Sequence, residues 1–195
     1  MNIHQLSVAF QPEQDRILAR VSTTAGEEMR LWLTRRLMLG LWPLLSKAMT
    51  DHLLRLEAAG SSLDAADDEL RKMLADFRRE EFLQHADFAT PYQEKQPQLP
   101  LGENPLLVTD VDATPLPNGR LRLSFNEHSP GQPAGAEPRR FQMEMEPRLM
   151  QGLLHLLEQA LAQSRWREAF QAAAGIDEAR LADDGLRSPR PRYLN

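Results

Sequence analysis

Four arginines and a tryptophan carry the chemistry in this chain most suited to a partner: Arg16, Arg20, Arg30, Trp32 and Arg35. The residues between them, Ile17, Ala19 and Val21 in one segment and Met29, Leu31 and Leu33 in the next, are apolar. Period-two alternation of this kind predicts half-buried strands, with Arg16, Arg20, Arg30 and Trp32 on the outward face. Arg35 follows at the start of a helix. An aromatic ring among guanidinium groups on an open sheet can stack bases and neutralise phosphates. Arg and Trp equally anchor protein interfaces. In a third reading Trp32 is covered by the acidic helix or by the other repeat, and the arginines pair with the carboxylates of that cover.

Other chemistries find less support. The five histidines, His4, His52, His85, His128 and His155, have no ligand-like spacing, and neither HExxH nor a Gly-rich phosphate loop is present. Ser22, Thr23 and Ser124 lack evident His and Asp partners, so no nucleophilic triad is nominated. Asp110, Asp112, Glu144 and Glu146 share an outward face. In a simple meander, however, they occupy the two outer strands, roughly 10 Å apart and too far to share one ion. Arg120 and Arg122 on the central strand are expected to bridge them. No catalytic residue, metal or cofactor is therefore expected, and the protein reads as a non-enzyme.

Composition narrows the class further. The net charge of −5 argues against a protein that wraps nucleic acid over its whole surface. With no cysteine, disulfides, thiol nucleophiles and Cys-ligated zinc are excluded. The beginning Met1-Asn2-Ile3-His4-Gln5 does not read as a signal peptide, and the apolar run Leu37 to Leu45 is too short to span a bilayer. The expectation is a cytoplasmic protein without a membrane partner.

The elements that must position these residues follow from a repeat. Between 36–48 and 148–160, at an offset of 112, eight of thirteen positions are identical. Background composition would give about one. At the same offset Met29, Leu31 and Leu33 match Phe141, Met143 and Met145. The predicted fold class is α+β, an internally duplicated β-β-β-α repeat related by a pseudo-two-fold axis, with an acidic helix between the copies.

Residues 1–60 form repeat A: three strands around Leu6–Phe10, Ile17–Val21 and Met29–Leu33, then a helix capped by Thr34, containing Pro43 and stopping at Gly60. Residues 61–104 hold an acidic helix, roughly Leu63 to Phe88, and a Pro-rich connector from Pro91 to Pro105. Asp64, Asp67, Asp68 and Glu69 suit the positive end of that helix, and Leu70, Met73, Leu74 and Phe77 form its apolar stripe. Residues 105–175 form repeat B: a strand from Leu107 to Ala113, a turn at Pro117-Asn118-Gly119, a strand with Leu121, Leu123 and Phe125 inward, a third strand, and a helix from Pro147 to about Ala174 ended by Gly175. Residues 176–195 are a basic tail, expected to be disordered. The matched Gly40 and Gly152 are expected to let the two helices approach closely, because Gly inside a helix costs about 1 kcal/mol that packing should offset.

In architecture alone, paired sheet-plus-helix repeats resemble the single-strand-binding proteins of the Pur-alpha type, which implies nucleic-acid binding on an open sheet face. Those repeats usually carry four strands where three are counted here, and no sequence motif is shared. The leading expectation is a protein-interaction or adaptor protein, using the outer face of repeat A or the connector. Its partner would be another protein or a second copy of itself. Single-stranded nucleic acid on that same face is the alternative.

Overall fold

Alternating apolar residues and turn-forming breaks produce the first three strands. These are β1 (Ile3–Gln11), β2 (Arg16–Thr23) and β3 (Glu28–Thr34). A 3-10 turn at Pro12–Gln14 and a hairpin at 24–26 join them, and Gly26 takes the positive φ of 81° that the hairpin requires. The Thr34 hydroxyl then accepts a hydrogen bond from the Leu37 amide at 3.2 Å, capping α1 (Arg35–Ala58). The computed structural model describes residues 2–58, 68–86, 90–93, 96–128 and 139–167. Gly60, Asp64, Asp67, Gly175 and the basic tail lie outside the described residues, as do the side chains of Leu70 and Leu74.

The second half contains α2 (Asp68–His85), β4 (Leu106–Leu107), β5 (Asp110–Pro115), β6 (Leu121–Glu127), β7 (Arg139–Met145) and α3 (Pro147–Ser164). The protein is mixed α+β, with two sheets and three helices among the described residues. One sheet runs β1-β2-β3-β4 and the other β5-β6-β7.

Three expectations need correction. The strand anticipated from Leu107 to Ala113 is split between the sheets. Leu106 and Leu107 add to the first sheet parallel to β3, and the Val108 amide donates to the Trp32 carbonyl; at Thr109 the chain begins to pair with Asn126 of the second sheet. Leu106 and Val108 are both fully buried, so this crossing strap belongs to the core. Secondly, α3 ends at Ser164 rather than near Ala174. Arg165 adopts a left-handed φ of 54° and its amide bonds to the Ala162 carbonyl, which turns the chain and lets Trp166 fold back into the core. Thirdly, the acidic helix presents Met73 and Phe77 to solvent, 65% and 61% exposed, instead of burying them in an apolar stripe.

The pairing of the two sheets follows one plan. Val21 faces Met29, Ala19 faces Leu31 and Ile17 faces Leu33 between β2 and β3. Phe125 faces Phe141, Leu123 faces Met143 and Leu121 faces Met145 between β6 and β7. All twelve belong to one buried cluster, together with Met38, Leu45 and Met49 of α1 and Met150, Leu153 and Leu157 of α3. Each fully buried side chain of this size contributes about 1.5–3 kcal/mol. The helices pack reciprocally: α3 lies against β1 of the first sheet, while α1 lies against β5 of the second. Where they converge, a small cavity of about 20 Å³ remains between Leu41, Leu45, Leu153 and Leu157.

Candidate functional site

Two surfaces bear on function. The first is the outer face of β2 and β3. Antiparallel register sets Arg20 directly opposite Arg30, a like-charge pair that needs a neighbouring anion. Glu28 supplies it. Its side chain is buried, and it accepts a 2.6 Å bond from Arg30 Nε and a 2.8 Å bond from the Tyr92 hydroxyl. The Arg20 guanidinium lies 4.4 Å from the centre of the Tyr92 ring. Burial and the bond to Glu28 push the Tyr92 hydroxyl up to about 12. Connector and sheet are thus joined by a compact set of charges that largely satisfy one another.

The expected binding residues therefore separate. Arg20 and Arg30 are engaged with Tyr92 and Glu28. Trp32 is half-buried, opposite Leu18 on one side and Leu107 of β4 on the other. Arg16 sits opposite Thr34 at the far end of the sheet, next to the half-buried Arg35 at the start of α1. Sequence reasoning missed Tyr92 because nothing local places a connector residue over a strand. The available signal was the Arg20/Arg30 clash, which called for a cover.

In the second sheet Arg120 pairs with Glu146 at 2.6 Å and Arg122 with Glu144 at 2.7 Å. The bond from Arg122 holds the Glu144 carboxyl below its usual range. Asp110 and Asp112 are not bridged by these arginines as expected. They accept instead from the amide of Asn126, at 3.3 and 3.2 Å. Among the described residues no cluster has the makings of a metal site.

The glycines do not bring the helices together. Gly40 is exposed, and a Cβ there would meet nothing within 4 Å. A Cβ on Gly152 would stand 3.6 Å from the Phe82 ring of α2, so its neighbour is a side chain rather than the backbone of α1.

That Phe82 contact lies in the second surface, an open cleft of about 910 Å³. Its floor is Asn2 and β1 from Ile3 to Val8. Its walls are Phe82 of α2 and Ala86 just beyond it, Thr90 with Pro91 and Tyr92 of the connector, and Leu149, Gly152 and Leu156 of α3, with Arg120, Glu144, Glu146 and Arg148 at one side. Strand β1 is at the edge of its sheet. The Thr23 amide donates to Glu27, so the backbone groups of Thr23 face β3, and those of Ser22 and Arg20 face β1. Their partners Gln5 and Ser7 turn inward to meet them. By the same alternation the N–H and C=O of Leu6 and Val8 point away from the sheet, into the cleft.

No helix among the described residues is long and apolar enough to cross a membrane. No family model, curated protein or solved structure matches the chain.

Proposed function

We propose that this is a non-enzymatic protein-interaction protein that receives its partner in the cleft beside β1. One observation carries the reading: the cleft combines an edge strand whose outward backbone is unpaired among the described residues with walls of mixed apolar and charged side chains from several other elements. Such a lining suits a polypeptide better than a small substrate, because among the described residues no convergent nucleophile, base or metal set lies within it. The contact surface moves from the outer face of the first sheet to the cleft because Glu28 and Tyr92 already occupy Arg20 and Arg30.

We further infer that the chain arose by internal duplication of a β-β-β-α unit. The matching rows of β2–β3 and β6–β7, and the reciprocal packing of α1 and α3, support this. An interaction protein built in this way resembles a homodimer fused into one chain, whose halves are free to diverge in their contacts.

A photo-crosslinking side chain at exposed His4, in the cleft, tests the reading against the same group at exposed Gln142 on the second sheet. Protein adducts in the native cell from position 4 and not from 142 are expected. Equal labelling at both sites removes the cleft from consideration. In parallel, tryptophan fluorescence is titrated with a single-stranded oligonucleotide at low and moderate salt. A flat response is expected. Quenching that weakens steeply with salt and vanishes in Trp32→Ala would install nucleic-acid binding in its place, since phosphate contacts lose affinity with log[salt].

A further inference from the structure

We propose that β1 takes up one extended segment of a partner protein as an added strand, and that an acidic side chain of this segment pairs with Arg148. The inference rests on the cleft reading above and names what fills the cleft.

The backbone is the first argument. Unpaired amides and carbonyls at a strand edge are complemented best by another extended backbone. Elsewhere the edges are guarded, β7 by the charged Arg139, Arg140 and Glu144. On the β3 side, Leu106 and Leu107 pair along the sheet, and Gln98 exchanges backbone bonds with Gly26 and Glu28. Edge strand β5 carries Asp110, Asp112 and Pro115, residues that discourage pairing. At the far end of β1, the Trp166 ring meets Phe10 edge-on at 5.5 Å. Between Gln5 and Val8, beyond a register shift at Ile3–Gln5, there is by contrast neither Pro, Lys nor an acidic residue, and the edge opens into the cleft. The strand from Ile3 to Val8 runs about 20 Å, enough to hold a peptide of similar length.

Charge is the second argument. Around the cleft Arg120 and Glu146 satisfy each other, as do Arg122 and Glu144. Arg148 is exposed and has no ion pair among the described residues. It also stands in the first turn of α3, which contains no acidic residue, at the helix end that disfavours a cation. A carboxylate on the incoming strand would relieve that mismatch. Leu149, Leu156 and Phe82 provide apolar contacts for alternate side chains on one face of the peptide.

A library of random dodecapeptides displayed on phage, panned against the full chain, supplies the probe. The best binder is then synthesised and titrated calorimetrically. Binders with alternating β-branched residues and an Asp or Glu are expected, with affinity falling at least tenfold in Arg148→Glu and unchanged in Gln142→Ala. Methylating the peptide amides of one alternate set should abolish binding, while methylating the other set should leave it intact. Failure to recover a binder overturns the proposal, as does indifference to Arg148→Glu or to methylation of both sets. A binder that crosslinks to position 4 yet ignores methylation defeats strand addition and leaves the cleft reading standing. A binder that does not reach position 4 defeats both.

Discussion

The indole Nε1 of Trp166 donates a 2.6 Å hydrogen bond to Oδ1 of Asp15, joining residues 151 positions apart. Asp15 closes the turn between β1 and β2 with a left-handed φ of 48°, and Trp166 follows the left-handed Arg165 that ends α3. Two local backbone reversals thus meet in one contact that fastens the last described helix to the first sheet. Trp166→Phe keeps most of the buried ring and removes the bond to the carboxylate. The expected loss is about 1.5–3 kcal/mol, read as a lower urea midpoint at unchanged slope.

The Tyr92 latch gives a pH dependence. Its hydroxyl is raised from 10.0 in the unfolded chain to about 12 in the fold, first by burial and then by the bond to Glu28. The folded state therefore holds this proton more tightly, so the contribution to stability is complete below pH 10 and is lost as pH rises from 10 to 12. Allowing for screening at a half-exposed site, the loss is roughly 1 kcal/mol. Absorbance titration at the tyrosinate band should show one of the two tyrosines titrating late, and Tyr92→Phe should remove that late step. Two ordinary tyrosine titrations would refute the latch.

A second long-range tie joins α1 to the β5–β6 hairpin. Buried His52 bonds through Nε2 to the Gly119 carbonyl at 3.0 Å, and Gly119 has a φ of 78°. A Cβ at Gly119 would stand 3.1 Å from a terminal methyl of Leu56. Gly119→Ala thus combines left-handed strain with crowding and should cost about 1–3 kcal/mol, measured by thermal unfolding. A neutral effect would mean that the hairpin relaxes away from α1.

Burial separates two leucines of similar sequence context. Leu157→Ala, in the core between the helices, is expected to cost about 2–5 kcal/mol. Leu44→Gln, at a position 68% exposed, should stay within about 0.5 kcal/mol of the parent. Comparable losses at the two sites would place Leu44 inside an interface in solution, which size-exclusion chromatography across a concentration series would then detect.

The strands β1, β2, β3, β6 and β7 were legible because their inward residues alternate and turn chemistry brackets them. The starts of α1 and α3 were legible from Thr34 and Pro147. The cross-strand pairs of Arg120 with Glu146 and Arg122 with Glu144 were legible too, whereas what escaped was fixed by more distant partners. Nothing within Leu106–Leu107 says that it pairs with Trp32 while the residues just beyond it pair with β6. Nothing around Met73 and Phe77 distinguishes a buried stripe from an exposed one.

The candidate site divides along the same line. Sequence by itself determined that Arg16, Arg20, Arg30 and Trp32 share an outward face, because strand geometry alternates residue by residue. Only the tertiary structure decided that Tyr92 from the connector engages Arg20 and Glu28, and that the edge of β1 opens between α2 and α3. Those outcomes depend on contacts across the chain, whose energies come from burial and charge pairing that no local period encodes.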